Sequence, residues 1–149
     1  MSALLFRRAT AADVPAIVAL LADDVLGAAR EAPGDPAYDA AFAAIEASPN
    51  ELLAVAERDG RVVGCLQITF LPGLSHRGAW RGQIEGVRIA AGERGSGLGR
   101  RMLAWAVEQC RARGCRMVQL TTNKTRADAR RFYESLGFRA SHEGMKLDL

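Results

Sequence analysis

Residues 90–101 read Ala90-Ala91-Gly92-Glu93-Arg94-Gly95-Ser96-Gly97-Leu98-Gly99-Arg100-Arg101, four glycines among three arginines. The stretch lies between a strand-like run, residues 84–89, and an amphipathic helical pattern. Glycines let backbone N–H groups come close to an anion, the unpaired amides and dipole of a helix start favour negative charge, and flanking guanidiniums add donors. A pyrophosphate suits such a cradle. Spacing removes two common nucleotide sites. A dinucleotide fingerprint starting at Gly95 needs glycine at position 100, where Arg100 stands, and no G-x-x-x-x-G-K-[ST] run occurs. What remains is Arg94-x-x-Gly97-x-Gly99.

The elements that must position this loop follow from periodicity. Residues 4–7 form a short apolar strand, and Thr10-Ala11-Ala12-Asp13 resembles a capping box that opens a helix close to Asp13, with Val14, Ile17, Val18 and Leu21 on its apolar face. Pro33-Gly34-Asp35-Pro36 breaks the chain before an alanine-rich helix over residues 38–47. Residues 52–57 and 61–70 read as two strands joined by an Asp59-Gly60 hairpin turn, and residues 71–81 as a loop. Next come a strand over 82–90, a helix over 97–113 ended by Gly114, a strand over 117–121 and a helix over 127–136 closed by Gly137. Residues 138–149 supply one or two final strands. The order predicts one α/β domain over residues 1–149 with a mixed sheet.

Composition bounds the function. The 149 residues are 49% hydrophobic and 25% charged, which matches a globular chain able to bury its own core. No apolar stretch approaches the roughly 18 residues of a membrane span, and the N-terminus lacks a signal-peptide pattern, so a cytoplasmic protein is expected. Cys65, Cys110 and Cys115 form no C-x-x-C pair, and neither His76 nor His142 has ligand spacing, so no metal site is expected. Net charge of +3 conceals an asymmetry. Residues 1–60 carry four Arg and ten acids, net −6, whereas residues 61–149 carry sixteen Lys or Arg and seven acids, net +9. A basic half suits an anionic partner. Nucleic acid is disfavoured, because no aromatic series interleaves the arginines and no helix-turn-helix or finger spacing occurs.

Strand, glycine-rich turn and helix start resemble the central motif of the GNAT superfamily of N-acetyltransferases. The resemblance continues in Leu120-Thr121-Thr122-Asn123 and in Ala129-Arg130-Arg131-Phe132-Tyr133-Glu134-Ser135-Leu136-Gly137-Phe138, similar to the family's asparagine-ending strand and A-x-x-F-Y-x-x-x-G-F signature. It covers residues 84–138, and the end of the chain is similar to bacterial aminoalkylphosphonate acetyltransferases. The resemblance implies a mixed, mostly antiparallel sheet of six to seven strands flanked by about four helices, acetyl-CoA as cosubstrate, a small primary amine as acceptor, and a homodimer. It assigns the backbone of Val87, Arg88 and Ile89 to the pantetheine arm and Arg94, Gly95, Ser96, Gly97, Leu98, Gly99 and Arg100 to the pyrophosphate. Asn123, Arg130 and Tyr133 would line the far wall. A coenzyme A sensor without catalysis would need the cradle but not Tyr133.

Acetyl transfer to an amine requires a neutral nitrogen, a donor to the carbonyl oxygen and a proton for the departing thiolate. The resemblance places the Val87 amide at the carbonyl. Tyr133, a phenol of ordinary pKa about 10 against roughly 8.5 for a thiol, is the expected acid. Glu85, just before the cofactor segment, and His76, on the preceding loop, are the two expected bases. Asp23, Asp24, Glu31, Asp35 and Asp39 are expected to draw in a cationic amine, and His76, Arg77 and Arg81 to meet an anionic group on the acceptor.

Overall fold

A computed structural model describes residues 3–149. Five strands, β1 (Leu4–Arg8), β2 (Glu51–Arg58), β3 (Arg61–Leu71), β4 (Trp80–Ile89) and β5 (Cys115–Leu120), form one sheet in that order. All neighbours are antiparallel except β4 and β5, which run parallel. The helices are α1 (Val14–Ala22), α2 (Val25–Arg30), α3 (Ala37–Ala47), the single turn α4 (Ser75–Gly78), α5 (Leu98–Ala112) and α6 (Ala127–Ser135).

On one face α5 buries Leu98, Met102, Leu103, Ala106 and Cys110, a 3.6-residue stripe, against Leu66, Ile68, Phe70 and Ile84 of β3 and β4. Each of these four sheet residues is at most 1% exposed, and each such side chain contributes about 1.5–3 kcal/mol relative to leaving it in water. On the other face Ile17 of α1 packs with Ala9, Val55 and Cys65. Burial pushes the Cys65 thiol up to about 12 and the Cys110 thiol up to about 11, so neither offers a thiolate nucleophile near neutrality. The Asp59-Gly60 turn joins β2 and β3 as the sequence predicts, with both residues at positive φ, 52° and 80°.

Three expectations change. The helices number six rather than about four, in part because α2 follows α1 as a separate helix, capped by Asp24, which accepts from the Gly27 N–H. β4 begins at Trp80, two residues earlier than periodicity suggested, since pairing of Trp80 with Cys115 starts its parallel ladder. The sheet has five strands rather than six to seven: residues 138–149 join no ladder among the described residues. The Phe138 N–H bonds the Tyr133 carbonyl, which ties the start of the tail to α6 instead of to β5. The alternating Met145 and Leu147 then remain 93% and 86% exposed.

The N-terminal strand is tied to α1 by charge. Arg7 donates to both carboxylate oxygens of Asp13 at 2.7 and 3.0 Å, and the Thr10 N–H adds a bond of 2.7 Å. The Arg7 guanidinium holds the Asp13 carboxyl at about 2, below its ordinary 3.8. The folded chain therefore binds this proton less readily than the unfolded chain. The stabilisation is complete above about pH 4 and is lost as pH falls towards 2. Asp13→Asn is expected to cost about 2 kcal/mol at pH 7 in urea unfolding, with the difference from the unsubstituted protein shrinking steadily between pH 4 and pH 2.

Candidate active site

The site grows from a parallel pair that parts midway. The β4–β5 ladder ends at Ile84–Leu120, while β4 runs on to Ile89 and stays paired with β3, its register shifting opposite Cys65–Gln67. Gly86 sits in this irregularity at φ 62°, a conformation in which a side chain would be strained. The Ala90 N–H donates to the Val63 carbonyl at 2.8 Å, so by the alternation of an antiparallel strand the N–H and C=O groups of Val87 and Ile89 turn away from β3 into the opening. A pantetheine-like amide chain fits there as a substitute strand.

At the end of this opening the loop turns into α5. Gly97 holds φ 83° as the residue before the helix, a left-handed conformation disfavoured for residues with a side chain. In the first turn, the N–H groups of Gly99 and Arg100 have no carbonyl four residues back to bond, and Ser96 Oγ lies 3.4 Å from the Leu98 N–H. Arg94, Gly95 and Arg100 are exposed beside them. The donors fit a pyrophosphate, as the spacing implied. Gly99 is required for a different reason: a Cβ there would meet Phe132 Cζ at 3.3 Å, so the missing side chain lets α6 close onto α5.

Tyr133 lies on α6, its phenol within electrostatic reach of Arg88 and Arg126. Its ring packs edge-on against Phe132 at 5.3 Å and Phe138 at 5.8 Å. Burial pushes its phenol above the ordinary value, while the positive charges of Arg88 and Arg126 pull the other way. The group therefore stays protonated and available as a donor at neutral pH.

Glu85 is exposed on β4, one residue before Gly86 and beside Gln67. Gln119 Nε2 donates to Gln83 Oε1 at 2.9 Å, and Gln83 Nε2 donates to Glu85 Oε1 at 2.6 Å. This relay from β5 to β4 holds Oε1, and Oε2 carries no hydrogen bond among the described residues. His76 lies elsewhere. It borders a surface cavity of about 350 Å³ with Arg77, Ala79, Arg116 and Met117, at the start of β4. From Trp80 to Gly86 the strand spans about 20 Å, so the structure separates His76 from the opening that the loop was expected to place it near.

Asn123 Oδ1 accepts from the Thr125 N–H at 2.9 Å and from the Thr125 hydroxyl at 2.7 Å, a turn that introduces α6. Arg130 pairs with Glu134 on the exposed side of α6. Arg100 reaches Ser135 Oγ at 3.1 Å, a second tie between the loop and α6.

Two of the five acids expected to attract an amine are engaged with arginines, while Asp23, Asp35 and Asp39 are exposed. Asp24 Oδ2 lies 2.8 Å from Arg126 Nη2 and 3.2 Å from Arg88 Nε, and Glu31 pairs with Arg30 and accepts from Tyr38. Burial works against the Asp24 charge, but the Gly27 N–H and the two arginines hold its carboxyl below the ordinary range. Sequence reasoning missed this cluster. Asp24-x-x-Gly27 is legible as a helix cap, but no local pattern announces a contact to Arg126, 102 residues away.

Parallel strands that part midway, followed by a glycine-rich turn at the start of a helix, form the cleft of an acyl-CoA-dependent transferase. Residues 16–138 match the acetyltransferase (GNAT) family. The chain belongs to that family, as the central motif suggested. It is 33% identical over 136 residues to an aminoalkylphosphonate N-acetyltransferase of Salmonella typhimurium, covering 91% of this chain and 85% of that protein. Over 90 residues it is 37% identical to a glucosamine 6-phosphate N-acetyltransferase of Trypanosoma brucei brucei, covering 60% of this chain and 59% of that one. A crystal structure described as a transcriptional regulator from Bacillus halodurans C-125 superposes with a TM-score of 0.95 at 47% identity, over 99% of this chain and 100% of that one. The chemistry of the family is acetyl transfer from acetyl-CoA, and this chain is an acetyl-CoA-dependent N-acetyltransferase.

Proposed function

We propose that the acceptor is the primary amine of a small molecule, with Glu85 as base and Tyr133 as acid. The observation that carries this reading is the end of the β4–β5 ladder at Ile84–Leu120, next to Glu85 with its bond from Gln83, while the half-buried Tyr133 phenol lies within electrostatic reach of Arg88 on the same strand. Acetyl-CoA supplies the activated acyl group as a thioester. Gly97, Gly99 and Arg100 hold the pyrophosphate, and Val87 and Ile89 pair with the pantetheine amides. The Val87 N–H donates to the carbonyl oxygen, where charge builds as the amine nitrogen attacks. Glu85 Oε2 takes the amine proton, the new N–C bond forms as the C–S bond breaks, and Tyr133 donates its proton towards the sulfur. We place the reaction in the cytoplasm, whose reducing pool suits three free thiols.

The regulator description of the Bacillus halodurans neighbour favours no second reading here. Arginines of the basic half pair with acids on their own helices, Arg111 with Glu108, Arg131 with Asp128 and Arg130 with Glu134, which reduces the free charge available to a phosphate backbone.

Turnover of acetyl-CoA against a panel of small amines and peptide N-termini tests the proposal, and activity confined to peptides overturns the small-molecule reading. Glu85→Gln keeps the bond from Gln83 but cannot accept the proton. It is expected to lower kcat about 10²-fold with the KM for acetyl-CoA unchanged. Full kcat in that variant removes Glu85 as the base.

A further inference from the structure

Two guanidiniums meet at the reacting end of the cleft. Arg88, on β4, donates from Nη1 to the Val87 carbonyl at 2.9 Å, which places its head at the mouth of the opening between β4 and β5. Arg126, just before α6, reaches from the opposite wall, and both face the Asp24 carboxylate. Both positive charges act on the Tyr133 phenol. Asp24 offsets their repulsion, and Glu31, itself paired with Arg30, also acts on Arg88; three arginines against two carboxylates leave a net positive charge. Donors remain to be used: Arg88 Nη2 and Arg126 Nε and Nη1 carry no hydrogen bond among the described residues, and the buried Arg88 Nε lacks one despite its ion pair. Planar guanidiniums with spare N–H groups suit a tetrahedral oxyanion.

We propose that Arg88 and Arg126 form the acceptor's anion subsite, and that the acceptor is an amine bearing a phosphonate or phosphate a few bonds from its nitrogen. This inference rests on the acetyltransferase reading above and replaces Arg77 and Arg81 as the expected anion partners. Arg77 borders the cavity at the far end of β4, and Arg81 pairs with Leu71 and Met117 near that end. The short spacing follows from position, because the guanidiniums share the mouth of the opening with the Val87 carbonyl and influence the phenol assigned to the thiolate. An anion bound there lies beside the attacking nitrogen, not across a sugar ring. The two curated relatives both act, by name, on amines that carry phosphorus oxyanions, one directly on the alkyl chain and one on a sugar.

The test compares kcat/KM for 1-aminoethylphosphonate, O-phosphoethanolamine, glucosamine 6-phosphate and ethylamine in the unsubstituted protein and in Arg126→Gln, Arg126→Lys and Arg88→Gln. The ratio of aminoethylphosphonate to ethylamine should fall about 30- to 100-fold in either glutamine variant, as expected for the loss of charge-assisted hydrogen bonds. Arg126→Lys, which keeps the charge and loses the planar fork, should fall between. Calorimetric binding of 1-aminoethylphosphonate to the protein without acetyl-CoA should weaken in the same order, while acetyl-CoA affinity, measured alongside, reports that each variant is folded. A parallel fall for O-phosphoethanolamine extends the site to phosphate esters. Equal losses on ethylamine and aminoethylphosphonate, or a selective loss on glucosamine 6-phosphate alone, overturn the subsite. Failure of the acetyltransferase reading itself would look different, since the unsubstituted protein would then acetylate none of the four amines.

Discussion

Replacing Gly97 with valine is expected to weaken acetyl-CoA binding by at least about 10²-fold in calorimetry, because a β-branched residue can scarcely adopt the φ of 83° that aims the first amides of α5 at the pyrophosphate. No protein atom lies within 4 Å of the position a Cβ would take. The penalty is therefore conformational, and the added side chain projects into the space the phosphates need. Alanine at the same position separates these contributions. It costs about 1–2 kcal/mol of left-handed backbone strain and adds less bulk, so a loss nearer tenfold is expected. Gly97 is itself exposed and only adjoins Leu98, the first residue of the buried stripe of α5, so the valine variant should retain its cooperative melt. A folded Gly97→Val protein with unchanged affinity would show that the loop is a turn and no cradle.

Tyr133→Phe is expected to lower kcat about 10²-fold while the KM for acetyl-CoA stays within about threefold. The ring remains between Phe132 and Phe138, whose edge contacts do not involve the hydroxyl, so the substitution removes a proton donor and little packing. The sign of the pH dependence follows from the raised pKa. The donor works only while protonated, so raising its pKa above the ordinary 10 moves the alkaline loss of kcat to higher pH, well clear of neutrality. The phenylalanine variant should lack that alkaline limb. Full kcat in Tyr133→Phe would remove Tyr133 from the catalytic role.

The two predictions differ in how far the sequence alone supported them. Gly97 stands in a spacing that already implied a phosphate cradle, and the φ of the residue supplies the reason. Gly99 belongs to the same motif, yet its missing Cβ serves contact with Phe132 from α6, which no spacing rule within residues 90–101 could show. Glu85 and His76 were both candidate bases on the sequence, with Glu85 preferred for its place just before the cofactor segment. An extended strand separates residues quickly, at about 3.3 Å each, so a group at the start of β4 lies far from one at its irregular centre.

Local signals determined the elements and the family. The 3.6-residue stripe of α5, the Asp59-Gly60 hairpin and the Arg94-x-x-Gly97-x-Gly99 turn arise from interactions among residues close in sequence, and local sequence suffices to encode them. Tertiary structure decided which charges are free. The acidic first sixty residues looked like a lure for cationic amines, but Asp24 is held by Arg88 and Arg126 and Glu31 by Arg30, whereas Asp23, Asp35 and Asp39 stay exposed. It also decided that residues 138–149 extend no ladder, because a strand pattern fixes only the side-chain alternation, whereas pairing needs a neighbour that the fold must bring. Residues far apart in sequence interact only once β4 and β5 part and α6 closes over them, and no window along the chain contains that event.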